Sequence, residues 1–148
     1  MRLSMPTFAL ASAALALLAG CADDTSPEQQ VRAVLESMEQ AVEARDVGDL
    51  MEHLAANYRD GQGQNRAEAS RYARGYFVAN QSVHLLTRIE SLEFPQSDEA
   101  RVKLQVGMAG RDGEPGVAGF TADVYDFDIA LVREDGEWKV SYADWRAD

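Results

Sequence analysis

Two aspartates that are two positions apart form the first candidate for a metal-binding or catalytic site in this chain. Asp126 and Asp128 form an Asp-x-Asp pair, a spacing that could hold a metal ion or place an acid beside a base. They alternate with Phe127 in a run that predicts a β-strand with one buried face, and the aromatic face is the inner one. The carboxylates are therefore expected to point outward, where Arg101 and Lys103 on the neighbouring strand would face them as a solvated charge ladder.

A second set of candidates could present one carboxylate and several hydroxyls to a pocket. Asp144 continues the alternation of Trp138, Val140 and Tyr142, which predicts an inward side chain. The favoured alternative is that the strand ends or carries a bulge there, so that Asp144 pairs with Arg146 or water. Three tyrosines could also supply hydroxyls to a pocket, although such a set is more often simple core. They are Tyr58, Tyr72 and Tyr76.

The sequence lacks the residue spacings that are typical of metal sites, nucleophilic triads and phosphate-binding loops. His84 alternates with Val83, so it is expected on the outer sheet face, and the distant His53 falls on the polar, exposed side of its helix. One imidazole without thiolates makes no zinc site, and no Ser-His-Asp spacing can be identified. Gly61-x-Gly63 lacks the downstream glycine and lysine of a phosphate-binding loop and indicates only a turn. The sequence therefore predicts no catalytic constellation, no metal site and no cofactor.

The amino terminus predicts where the protein resides. Arg2 is followed by an uncharged apolar run over residues 8–18, which is the layout of a secretory signal and is shorter than the roughly 20 residues of a membrane span. Leu18-Ala19-Gly20-Cys21 resembles the lipobox at which bacterial signal peptidases cleave and a cysteine is acylated. The alternative, an uncleaved anchor helix, would leave the sole cysteine unexplained.

The lipobox resemblance implies that Cys21 becomes the mature N-terminus and carries several acyl chains, which together anchor a protein stably to a membrane. Ala22 follows the cysteine where an aspartate would signal inner-membrane retention, so the resemblance implies the periplasmic face of the outer membrane. We expect a signal peptide at 1–20, a lipidated N-terminus and short tether at 21–25, and one domain at 26–148. A lone cysteine excludes an internal disulfide.

The charge balance narrows the choice of partners. The chain has 25 acidic and 14 basic residues, for a net charge of −11. Binding to nucleic acid or to anionic lipid head groups depends on clustered Lys and Arg. We therefore expect no nucleic-acid partner, and the acidic surface is interpreted as a source of solubility.

The first predicted helix has a complete start signal. Ser26-Pro27-Glu28-Gln29 supplies the cap, the proline at the first helical position and the glutamine of a capping box. Apolar residues then recur at three- and four-residue spacing, which predicts one core-facing stripe. The stripe comprises Val31, Val34, Leu35, Met38 and Val42.

Two shorter helices are predicted to follow. Asp46 caps a helix that extends to Leu54, and the segment from Tyr58 to Gly63 breaks the helical pattern. Asn65, three residues before Glu68, caps the third helix. Its predicted stripe comprises Ala69, Tyr72, Ala73, Tyr76 and Phe77.

From about Val83 the hydrophobic period changes to two, which predicts strands with one buried face. The inner residues are Val83, Leu85 and Ile89, then Val102, Leu104, Val106 and Met108, then Tyr125, Phe127, Ile129 and Leu131, then Trp138, Val140 and Tyr142. Residues 111–119 are glycine-rich and read as a loop, whereas Glu134-Asp135-Gly136 predicts a hairpin turn. Helices followed by a meander of strands predict an α+β domain with helices on one face of an antiparallel sheet.

The closing strand contains Asp135-Gly136-Glu137-Trp138-Lys139-Val140 and then Trp145-Arg146. Taken with the element order, it resembles the nuclear transport factor 2-like fold over about residues 26–146. More narrowly, Asp60-Gly61-Gln62-Gly63, the Tyr76-Phe77 helix and residues 84–89 resemble a group of Gram-negative lipoproteins of this fold. The resemblance implies three N-terminal helices packed on a curved, mainly antiparallel sheet of about four strands. Such a cone holds a ligand pocket, an active site or a filled core, so fold leaves function open.

Enzymes of this fold, such as ketosteroid isomerases and polyketide cyclases, place a carboxylate base and acidic hydrogen-bond donors in the cone. The resemblance fails at the first helix, where a donor tyrosine would be expected and the stripe is aliphatic. Asp60 lies near the position of the base, after the second helix. The neighbouring glycines are at least as typical of a turn aspartate.

The leading hypothesis is a non-catalytic, lipid-anchored module that binds an envelope protein or a small ligand. The competing hypothesis is a small acid/base enzyme of isomerase, cyclase or hydratase type, which needs an open cavity and at least two convergent groups drawn from Asp60, Tyr76 and Asp144. A third hypothesis is a homodimer through the exposed sheet face, where Lys103 and Asp128 would make the contact polar.

Overall fold

The computed structural model describes residues 25–111 and 120–148, and within them it has three helices and five strands. The elements are α1 (Pro27–Glu43), α2 (Val47–Glu52), β1 (Leu54–Asp60), α3 (Arg66–Ala79), β2 (Ser82–Gln96), β3 (Glu99–Arg111), β4 (Phe120–Glu134) and β5 (Glu137–Ala147). The predicted signal peptide, Cys21 and nearly all of the predicted loop at 111–119 lie outside the described residues. No helix in the described ranges is long and apolar enough to cross a bilayer.

All three helices begin at the predicted caps. The Ser26 hydroxyl accepts from the Gln29 amide, and the Gln29 side chain accepts from the Ser26 amide, at 3.2 and 2.9 Å. Asp46 caps α2. Asn65 and Glu68 form a second reciprocal capping box at the start of α3, with distances of 3.0 and 2.8 Å. Each cap satisfies amide groups that the first helical turn leaves without partners.

The five strands form one sheet in the order β1-β5-β4-β3-β2. Every neighbouring pair is antiparallel except β1 and β5, which are parallel. Helix α1 packs against β2 and β5, and α3 packs against β1. The predicted α+β class is therefore confirmed, with helices on one face of a curved sheet.

The prediction of about four strands is one short because the sequence pattern predicts the end of a helix and then a break where β1 lies. Helix α2 ends at Glu52, and Leu54 already belongs to β1. The strand is short, and its buried and exposed positions do not alternate regularly. Its pairing with β5 also shifts register between Leu54 and Arg59. A segment of this kind lacks the period-two pattern by which a strand is identified in a sequence.

Register shifts interrupt the strand pairing at several points in the described sheet. On β2 the shift between Ile89 and Ser91 leaves Glu90 as an extra residue relative to β3. On β5 the partners change from Val140 with Leu131 to Tyr142 with Ala130, which leaves Ser141 as the extra residue. The Ser141 hydroxyl donates to the Ala130 carbonyl at 3.3 Å and so helps to hold this bulge. Bulges of this kind bend a strand and increase its twist.

The core lies between α1 and the inner sheet face. Its fully buried residues include Val31, Val102, Leu131 and Val140. At one end the Gln30 side chain accepts from the Trp138 indole at 3.2 Å and from the Arg133 guanidinium at 2.8 Å. These bonds fasten the start of α1 to the β4–β5 hairpin. The hairpin turns at Asp135 and Gly136, both with positive φ, as predicted.

Candidate functional site

A cleft opens between the helices and the inner face of the sheet. It has three adjoining lobes that share Val42, Leu50 and Phe127 as walls. The inner lobe, lined by Tyr58 and Asp60, has a volume of 220 Å³. The outer lobe, defined by its aromatic walls, has 210 Å³, and the side lobe between α1 and β3 has 140 Å³. The lobes together fall within the roughly 300–1,000 Å³ typical of small-ligand pockets.

The apolar stripe of α1 is buried to different depths along the helix. Val31 is fully buried, whereas Leu35, Met38 and Val42 farther along the same stripe are only half-buried. These three residues pack against the buried clusters and also line the side lobe or the inner lobe. The cone interior is therefore a mainly apolar cleft rather than a completely filled core.

Asp60 ends β1 at the wall of the inner lobe and is only 4% exposed. Its Oδ1 accepts from the backbone amides of Gln62 and Gln64 at 2.9 and 2.8 Å. Its Oδ2 is buried and has no hydrogen-bond partner among the described residues. The two oxygens thus differ, because Oδ1 holds the turn whereas Oδ2 makes no hydrogen bond within the described residues.

The turn after β1 explains why glycines flank this aspartate. Gly63 adopts a φ of 82°, a left-handed conformation that favours glycine. The Gly61 amide donates to the Ala143 carbonyl on β5 at 2.9 Å. A Cβ at Gly61 would overlap the carboxylate of Asp144. The glycines therefore let the turn lie close against β5 while Asp60 stays at the cleft.

Tyr58 stands two residues before Asp60 on the same face of β1 and is 5% exposed. It lines the inner lobe beside that carboxylate. Burial, reinforced by the nearby Asp60, raises the pKa of Tyr58 to about 12. The phenol therefore stays protonated at neutral pH and can act as a hydrogen-bonding group but not as a base.

The outer lobe is walled by aromatic rings from α3, β4 and β5. They are Tyr72, Tyr76, Phe77, Tyr125, Phe127 and Trp145. Tyr72 stands at the rim, with 62% of its surface exposed. Burial, followed by neighbouring phenols and Asp123, raises the pKa of both Tyr76 and Tyr125. The structure thus places Tyr58, Asp60, Tyr72 and Tyr76 around one cleft.

Asp144 is not part of this cleft, and the inward alternation predicted for it is wrong. The extra residue at Ser141 reverses the parity of β5, so Ala143 faces inward and Asp144 is exposed. Tyr142, also predicted to face inward, is 40% exposed for the same reason. This is the bulge that the sequence analysis gives as the favoured alternative.

The same reversal turns Trp145 toward the cleft, where the sequence interpretation did not place it. Trp145 lines both the inner and the outer lobe, and its ring stacks on Phe127 with centroids 5.9 Å apart. The sequence contains a signal for this bulge, since Trp138 and Trp145 are an odd number of residues apart. Both large rings can face inward only if the strand between them contains an extra residue.

Asp126 and Asp128 form the charge ladder that was predicted for the outer sheet face. Lys103 lies 3.8 Å from Asp128, and Arg146 lies 3.8 and 3.6 Å from Asp126 and Asp128, respectively. Arg101, predicted as a second cation of the ladder, is instead opposite Ala130 in the register. These exposed pairs each contribute about 1 kcal/mol or less.

The histidines lie apart, and the described ranges contain no group of three or more His, Cys, Asp or Glu residues that could hold a metal ion. His84 is exposed on β2, as predicted. His53 was expected to be exposed but is half-buried at the end of α2. Burial, followed by the Lys139 ammonium, lowers the pKa of His53.

Two larger grooves lie on the outer surface but are weaker candidates. One, of 450 Å³, crosses the outer sheet face beside Lys103 and Asp128, which already pair with each other. The other, of 580 Å³, lies beside the start of α3, where Arg66 donates to the Met51 carbonyl. Neither groove is lined by a buried polar group without a partner among the described residues, so the internal cleft is the better candidate.

Sequence comparison finds no matching family model and no matching curated protein. Solved structures of similar shape do exist. A proposed scytalone dehydratase from Novosphingobium aromaticivorans is 13% identical with a TM-score of 0.74, and the match covers 82% of this chain and 83% of that one. A proposed dehydratase of the NTF2-like family from Streptomyces avermitilis is 13% identical with a TM-score of 0.70 and coverage of 82% and 96%.

A ketosteroid isomerase-like protein from Erwinia carotovora atroseptica is 14% identical, with a TM-score of 0.63 and coverage of 80% and 93%. Likeness at this level of identity establishes architecture and leaves activity open. This chain therefore has the nuclear transport factor 2-like fold.

Proposed function

We propose that this protein is a lipid-anchored module of the bacterial cell envelope that binds a small, mainly apolar ligand inside its cone. The observation that carries the binding role is the buried Oδ2 of Asp60, which has no partner among the described residues and belongs to a residue of an apolar cleft. Small-ligand sites typically combine apolar walls with a few polar groups that fix orientation. The anchoring role rests on the lipobox resemblance of residues 18–21.

Filling the cleft tests the binding role. Ala73 is 9% exposed and lines both the inner and the outer lobe, so Ala73→Leu would place new atoms in the ligand space. Ala79→Leu adds the same atoms at the exposed end of α3 and serves as the matched control. With phenylbutanol as a neutral apolar probe, calorimetry should detect binding to the wild type and the control but not to Ala73→Leu. If Ala73→Leu bound the probe as tightly as Ala79→Leu, the probe would bind outside the cleft and the proposed site would be wrong.

Fractionation of cells tests the anchoring role. Cys21→Ser removes the acylated thiol, so this variant should leave the membrane fraction. Ala22→Asp introduces the residue that signals inner-membrane retention and should move the protein from outer to inner membranes. Persistence of Cys21→Ser in the membrane fraction would contradict lipid anchoring.

A second candidate function is acid/base catalysis on a ligand in the same cleft. Asp60 favours it, because a carboxylate oxygen without a partner among the described residues and next to apolar walls is suited to accept a proton from carbon. The test uses phenylbutanone in heavy water and follows deuterium entry beside the carbonyl by NMR. An enzyme would accelerate exchange over background and lose the acceleration in Asp60→Asn. A binding module would leave exchange at the background rate in both proteins.

A further inference from the structure

The charged side chains that line the cleft are all of one sign. Among the lining residues of the three lobes the charged ones are Asp60 in the inner lobe and Glu39 in the side lobe. None of these lining residues is a lysine, arginine or histidine. An anionic ligand would therefore meet only like charge there, whereas a cation would be attracted.

The outer lobe adds a second feature that favours positive charge. Its six aromatic rings present both faces and edges, with Phe127 stacked on Trp145 and Tyr125 set edge-on to Phe127 at 6.4 Å. Aromatic faces attract ammonium groups, and they also pack well against the apolar body of a ligand. A molecule with both an amino group and a hydrocarbon part matches these walls.

The carboxylate of Asp60 favours a cationic ligand over a ligand that is polar but uncharged. Its side chain borders the apolar inner lobe, and Oδ2 has no hydrogen-bond partner among the described residues. Buried charges in proteins are normally paired with an opposite charge. A neutral hydroxyl could donate one hydrogen bond to Oδ2, whereas an ammonium would also balance the charge.

We propose that the ligand is a lipophilic amine, whose protonated nitrogen pairs with Asp60 while its apolar body lies along the aromatic walls of the outer lobe. This inference rests on the proposed binding function and specifies the chemical class of the ligand. The nitrogen occupies the inner lobe, next to Tyr58, and the hydrocarbon part extends past Phe127 and Trp145.

Three probes with the same body and different head groups test the proposal. Phenylbutylamine, phenylbutanol and phenylbutyrate are titrated by calorimetry into the mature lipidated protein held in lipid nanodiscs, so that no detergent competes for the cleft. The amine should bind at least tenfold more tightly than the alcohol, and the carboxylate should bind most weakly. Equal or tighter binding of the alcohol or the carboxylate would overturn the proposal.

Two matched variants locate the effect at one carboxylate. Asp60→Asn keeps an acceptor for the two backbone amides but removes the charge, so it should weaken amine binding about tenfold and change alcohol binding less than twofold. Asp126→Asn removes a charge from the outer sheet face and should change neither. An equal loss for amine and alcohol in Asp60→Asn would overturn the charge pairing. Failure of all three probes to bind the wild type would refute the binding function itself.

Discussion

The turn at Asp60 can be dissected by comparing alanine and asparagine at that position. The Oδ1 atom accepts two backbone amides at 2.9 and 2.8 Å, and a hydrogen bond to a charged group contributes about 1.5–3 kcal/mol. Asp60→Ala removes both bonds. Water can replace part of them at the exposed Gln62, so the expected loss is about 2–4 kcal/mol of unfolding free energy. Asp60→Asn keeps an oxygen at the Oδ1 position and should stay within about 1 kcal/mol of the wild type.

Urea denaturation at neutral pH, followed by far-ultraviolet circular dichroism, measures both changes. Asp144→Ala removes an exposed carboxylate from the neighbouring strand and serves as the control, with an expected change of at most about 0.5 kcal/mol. An asparagine variant as unstable as the alanine variant would show that charge, rather than acceptor geometry, holds the turn. An alanine variant of wild-type stability would refute the role given to Oδ1.

Three further predictions concern pH dependence and close packing. The fold holds the pKa of His53 below 6.5, so the free energy of unfolding should fall as the pH drops below about 6.5. This fall should be less steep in the His53→Gln variant than in the control variant His84→Gln, which changes an exposed histidine. The pKa of Tyr58 is raised from 10.0 to about 12, so stability should fall as pH rises above 10, and a spectrophotometric titration of Tyr58→Phe should lose a step near pH 12. Gly61→Ala should lower the free energy of unfolding by about 1–3 kcal/mol, because the new Cβ overlaps the Asp144 side chain. Adding Asp144→Ala should recover part of that loss in urea denaturation. No recovery in the double variant would refute the contact.

Local sequence signals predicted the elements that are specified by short-range chemistry. The capping boxes at Ser26 and Asn65 need only residues three positions apart, and both are present. The same holds for the Asp135-Gly136 turn, whose positive φ values suit those residue types. Regular alternation likewise identified the inner face of β3, where Val102, Leu104 and Val106 are buried.

The site depended on features that no local pattern encodes. Strand β1 is held by parallel pairing with β5, far away in the sequence, so its residues carry no clear period. The bulge at Ser141 changed which residues face the cleft, and a one-residue shift moves every later side chain to the other face. The sequence predicts Asp60 both as a turn residue and as a pocket carboxylate, but only the fold shows that Oδ1 holds the turn while Oδ2 has no partner among the described residues.

The irregularity at Ser141 also decides how many carboxylates the cone can contain. With the extra residue in place, Trp145 lines the cleft and Asp144 faces water. Deletion of that single residue would restore strict alternation and exchange the two, which would bring Asp144 inside, close to Asp60. The deletion of one residue, with no substitution, would therefore convert a cleft with one acidic side chain into a site with two.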